Sequence, residues 1–251
     1  MPMHDWTRVD DGLFHDFYLS WVLAISSGLN HGRLPRDFYA LVERHPMDVD
    51  SWERGVPDGE LPGRPPVPDH AHVIRLEEVP PATPIRDGCQ ELAYWRNARS
   101  ITVRSAEDDL AVAVVEVVTP AVKWVPVARR RFIDQMGRAV FRGIHLLIVD
   151  PFADREGQEN TIADLWQSIR GRPLALPVRA ATLAAISASP EPEVFADAVS
   201  LGNALPDMPL FLDPESYVLV DLEAAYRRAW DGIAVCVRDE VRSAGDRPSV
   251  G

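Results

Sequence analysis

The segment Leu110 to Val118 reads LAVAVVEVV, an apolar run interrupted by a single carboxylate, Glu116. It lacks the polar alternation of a half-solvated strand, so it predicts a central strand covered on both faces. With a side-chain period of two, Glu116 shares a face with Leu110, Val112, Val114 and Val118. An ionised carboxylate there loses its water unless a cation, a metal or a hydrogen-bond donor takes its place. Two readings stand side by side: an internal pair with an arginine of the covering helix, or a group placed to hold a cation.

The residues that follow extend the pattern. Thr119-Pro120 ends the strand, because proline cannot donate to a ladder, and Lys123 falls in the connecting loop. Pro126 suits the first turn of a helix of about 16 residues. Phe132, Ile133, Met136, Ala139 and Val140 keep helical spacing, and Gly143 stands where a left-handed cap closes it. The outer face carries Arg129, Arg130, Arg131, Arg138 and Arg142. That face reads either as a solvated surface with Arg138 and Arg142 at the negative end of the helix dipole, or as a phosphate-facing patch. Ile144 to Val149 is a second apolar run. Strand, helix and strand at this length imply a crossover between parallel strands.

These segments carry a resemblance. VEVVTPAVK, a helix and then GIHLLIVDP resemble the core of a bacterial family, domain of unknown function 4058, whose members show an IEIVSPGNK-like segment. MHDWTRVDDGLFHDF and LPDMPLFLDPESYVLVDLEAAYRRAW resemble the same family, so the likeness spans most of the chain. That family is similar to the restriction-endonuclease-like PD-(D/E)XK nucleases. The fold this implies is α/β: a mixed central sheet flanked by helices, with further carboxyl-terminal strands and a terminal helix.

In that superfamily an early acid, an aspartate on a second strand and a glutamate followed by a lysine on a third converge on Mg²⁺. The metal lowers the pKa of an attacking water and offsets charge growing on the phosphate. By resemblance Glu116 and Asp48, in PMDVDSW, are the metal ligands, Glu43 is the auxiliary acid and Lys123 positions water or phosphate. The departures are specific. The position two after the glutamate is Val118, the helix position that supplies lysine in related families is Gln135, and Ala121-Val122 replace glycine and asparagine before Lys123. The implied function is a Mg²⁺-dependent phosphodiesterase acting on nucleic acid; the alternative is an inactive nuclease-like scaffold that binds a protein or small ligand.

A chain of 251 residues buries a substantial core, and one domain over residues 1–242 is expected, with a proline-rich insertion around 55–69 and a flexible tail over 243–251. A net charge of −12 disfavours general nucleic-acid binding but permits a local basic patch. Two cysteines far apart, no apolar run of membrane-spanning length and no basic-then-apolar start point to the cytoplasm and away from membranes.

Elsewhere the chain predicts a helix over Asp10 to Asn30 ended near Gly32, with Asp5-Trp6 as a staple and His4, His15 and His31 in packing or surface roles. A strand follows over Phe38 to Arg44. His70 and His72 alternate on a further candidate strand, and Ile101 to Arg104 is a strand joined to the central run through an acidic turn ending at Asp109. Later come a helix over Asn160 to Ile169, strands over Val178 to Ala188 and Val194 to Val199, and a helix over Asp221 to Arg242 capped by Asp221.

Overall fold

The computed structural model describes residues 3–44, 98–153 and 160–245. Helix α1 (Asp11–Gly28) starts where Asp10 accepts a hydrogen bond from the Gly12 N–H at 2.8 Å. It ends in one wider turn, Leu29–Arg33, in which Gly32 takes φ +113°, a region that costs glycine little. Strands β1 (Phe38–Arg44), β2 (Arg99–Ser105) and β3 (Ala111–Val117) form an antiparallel meander. The turn between β2 and β3 is closed by Asp109 at φ 59°.

Two helices follow where one was expected after a loop. Pro120–Trp124 is a short helix, α2, because the Thr119 hydroxyl accepts the Val122 N–H at its start. Lys123 therefore rides on a helix, not a loop. Helix α3 (Pro126–Phe141) begins on its proline and ends as expected, with Gly143 at φ +83° and the Ile144 N–H bonded to the Ala139 carbonyl. Strand β4 (His145–Asp150) runs parallel to β3, with Glu116 opposite Ile148.

Helix α4 (Thr161–Arg170) is capped by the Asn160 side chain, which accepts from Ile162 and Ala163. Strands β5 (Ala180–Ser187) and β6 (Glu193–Ser200) complete a six-stranded mixed sheet in the order β1-β2-β3-β4-β5-β6. β7 (Asp207–Phe211) and β8 (Tyr217–Asp221) pair as a separate hairpin that the sequence reading had not assigned to strands. The expected helix from Asp221 is two helices, α5 (Leu222–Gly232) and α6 (Val235–Gly245). The break is at Ile233, whose backbone is extended and whose side chain is buried. Burial of Ile233 behind a glycine outweighs continuing a regular helix there.

Residue parity places the layers. One sheet face carries Ala113, Val115, Leu147 and His145 toward α1, α5 and the hairpin: α1 packs on α5, and His145 stacks on Phe211. The opposite face carries Glu116, Ile148, Asp150 and Thr182 toward α3 and α4, with Asn160 bonded to Thr182. A single apolar cluster runs through helices, sheet and hairpin. No helix among the described residues is long and apolar enough to cross a membrane. Asp48, His70, His72 and the proline-rich stretch 55–69 lie outside the described residues.

Candidate functional site

The strand register brings part of the expected constellation to one end of one sheet face. Glu43 on β1 stands opposite Ser100 on β2, and the Ser100 hydroxyl donates to the Glu116 carboxylate on β3. The three form a row across neighbouring strands, so the backbones of Glu43 and Glu116 are about 10 Å apart, at about 4.8 Å per strand. The residue facing Glu116 from β2 is Ser100, which brings a hydroxyl and no charge.

Glu116 is 3% exposed, and its contact with Ser100 answers the sequence argument directly: a hydroxyl donor replaces lost water. Glu43 is drawn away along the sheet, its carboxylate receiving Arg104 at 3.2 Å. Arg104 also donates to the Asp109 carbonyl at 2.7 Å, and Tyr39 donates to the Asp109 carboxylate. That bond is the main reason the Tyr39 hydroxyl is held above its ordinary pKa. Glu43 thus belongs to a polar cluster tying β1 to the β2–β3 turn.

Lys123 points inward from α2. Its ammonium donates to Asp150 Oδ2 at 2.8 Å, with side-chain exposures of 1% and 0%. Asp150 Oδ1 accepts the Phe152 N–H at 3.1 Å, so both carboxylate oxygens have donors. By parity Asp150 lies on the face of Glu116, one strand over and two residues further along. The sequence reading missed Asp150. The signal was present, since HLLIVD is an apolar run ended by an acid and so raises the question that Glu116 raised.

Tyr18 closes this end of the sheet from α1, donating to the Arg99 carbonyl at 2.6 Å and accepting the Arg99 N–H at 2.7 Å. Burial first, and the Glu116 charge second, push its hydroxyl pKa up, so it stays protonated. His15 stacks beside Tyr18, its pKa lowered by burial and then by the Arg99 charge. His4 and Trp6 serve elsewhere. His4 stacks on Trp230 with ring centroids 3.8 Å apart, and Trp6 donates to the Tyr226 hydroxyl. These are packing roles, as expected for the former, and the buried Trp6 staples the entering chain.

Among the described residues no group of three or more His, Cys, Asp or Glu side chains is arranged to hold a metal ion. Glu116 alone of the two expected ligands is described, since Asp48 lies outside the described residues. A cleft of about 210 Å³ opens elsewhere, between the end of α1 and the start of α5, floored by Ala24, Gly28 and Ala225 and rimmed by Arg33 and Arg228.

The fold and these contacts define a mixed α/β protein with an internal polar row on one sheet face. Comparison with protein-family models, curated proteins and solved structures finds no match to this chain.

Proposed function

We propose that this chain is a nuclease-like scaffold that works as a binding module, its would-be catalytic charges committed to holding the fold. The observation that carries this reading is the Lys123–Asp150 pair, withdrawn from solvent on both sides. A lysine that positions water or a scissile phosphate must reach the substrate, and this ammonium is engaged by an internal carboxylate beneath α2. Ser100 opposite Glu116, Val118 where a lysine would follow, and Glu43 bound to Arg104 point the same way.

The test is cleavage of supercoiled plasmid and of single-stranded DNA and RNA oligonucleotides by the full chain with Mg²⁺ or Mn²⁺. No turnover above that of a Glu116→Gln, Lys123→Met double variant is expected. Metal-dependent cleavage by the wild type and not by that variant overturns the reading.

One observation favours the second reading, a Mg²⁺-dependent phosphodiesterase acting on nucleic acid. The order α1-β1-β2-β3-α3-β4 sets Glu116 and Asp150 on one face, with Lys123 bonded at the same end. In that reading Glu116 and Asp48 would hold the metal, with Glu43 and Lys123 assisting.

A further inference from the structure

Helix α3 turns one side to the sheet and the other to solvent. Ala128, Phe132, Met136 and Ala139 are buried, whereas Val127, Arg130, Arg131, Asp134, Arg138 and Phe141 are exposed. At 100° per residue those six fall within an arc of about 100°, a single ridge about 21 Å long from Val127 to Phe141. The ridge has a pattern. Val127 at one end is 61% exposed, Phe141 at the other is 69% exposed, and three arginines stand between them around one aspartate.

We propose that this ridge is a docking surface for an acidic amphipathic helix of another protein, with apolar residues near its two ends and carboxylates between. The proposal rests on the binding-module reading and gives it a partner class. Charge complementarity carries it: the ridge is net positive on a chain of net charge −12, so it is a local site for carboxylates rather than a generally cationic surface. Guanidinium groups pair with carboxylates through two parallel hydrogen bonds, which gives register as well as attraction.

Three features favour a helix over a polyphosphate. Asp134 sits mid-ridge, where it repels a continuous anion, whereas a helix can place discrete carboxylates beside the arginines and an uncharged residue opposite Asp134. Val127 and Phe141 lie about four turns apart along the helix and about 40° apart around it, so a helix laid alongside meets both, as in helix-in-groove recognition. The acidic remainder of the chain penalises a long polyanion more than a short acidic segment.

The test uses a fluorescein-labelled synthetic helix with leucines near both ends and glutamates between, titrated by anisotropy with the full chain. The comparison probes are the same peptide with glutamine for glutamate, a thymidine 20-mer and phosphatidylglycerol vesicles. Expected are saturable binding of the acidic peptide, at least about tenfold weaker binding of the glutamine peptide, and an Arg130→Glu, Arg131→Glu, Arg138→Glu variant that loses about tenfold or more. That variant, with an unchanged circular dichroism spectrum, should bind a lysine-for-glutamate peptide better than the wild type does. Phe141→Ser should weaken the acidic peptide without abolishing it.

No binding of the acidic peptide overturns the proposal. So does tighter binding of the oligonucleotide or the vesicles, an arginine variant that binds like wild type, or sedimentation showing that a second copy of the chain occupies the ridge. The binding-module reading fails separately, by metal-dependent cleavage, whatever the peptide does.

Discussion

Lys123 and Asp150 meet at 2.8 Å where neither side chain reaches water, one from the short helix after β3 and the other from the last residue of β4. Removing one member leaves the other's charge buried without its counterpart, which costs about 3–5 kcal/mol, whereas removing both charges together costs less. Lys123→Met should therefore lower unfolding free energy by about that amount in urea titration. Lys123→Met with Asp150→Asn should recover part of it, since asparagine Oδ1 still accepts the Phe152 N–H. Additive losses in the double variant would show that the two groups do not stabilise each other.

Ser100→Ala removes the hydroxyl that donates to the buried Glu116 carboxylate. A hydrogen bond to a charged group is worth about 1.5–3 kcal/mol, so the variant should unfold at correspondingly lower denaturant with an unchanged slope. Ser100→Thr, which keeps the hydroxyl, should lose less. Equal stability of wild type and Ser100→Ala would mean that other groups satisfy Glu116 in full.

Tyr226 ties the two ends of the described chain together. Its hydroxyl accepts the Trp6 indole N–H at 3.0 Å and lies 2.8 Å from His4 Nδ1. Tyr226→Phe strands the buried indole N–H, at a cost of about 1–3 kcal/mol. Hydrogen exchange should report early opening of the amino-terminal segment in this variant, before loss of the sheet. Uniform loss of protection across the chain would contradict a local tie.

Burial lowers the pKa of three histidines, His4 to about 4, with His15 and His145 moved the same way. For His4 the Arg242 charge adds to the effect of burial, and for His145 the Nδ1 must stay unprotonated to accept the Ala188 N–H at 3.0 Å. The unfolded chain then binds more protons than the folded one below the ordinary histidine pKa of about 6.5. Stability is fully present above that pH and is lost as pH falls, for His4 through about 4. Melting temperature should decline from pH 7 to pH 5, and His4→Phe should flatten part of that decline. A wild-type melting temperature constant over this interval would refute the assignment.

The core motif was legible because its signals are local. The apolar run around Glu116, Pro126 at a helix start and Gly143 at its end each depend on neighbouring residues, and β3, α3 and β4 lie where those residues imply. Partner choice was not legible. Asp150 is 27 positions from Lys123 and Ser100 is 16 from Glu116, and only strand register decides which polar groups meet. The helix at Pro120 to Trp124 was hidden by reading proline as a strand stop alone, when it equally suits a first helical turn behind the Thr119 cap. The β7–β8 hairpin was hidden by its own prolines, since Pro209 sits within a strand of a two-stranded sheet, where edge positions tolerate it.

Melting temperature in millimolar Mg²⁺ or Mn²⁺, measured for wild type and Glu116→Gln, bears most directly on whether the buried carboxylate serves the fold or a metal. An ion bound to the folded state at about 100 times its dissociation constant adds about 2.7 kcal/mol of stability. If the charges are committed internally, neither protein shifts with metal, and Glu116→Gln differs from wild type by the same amount with and without it. A metal-dependent rise in wild type that Glu116→Gln lacks would contradict this and restore the catalytic reading.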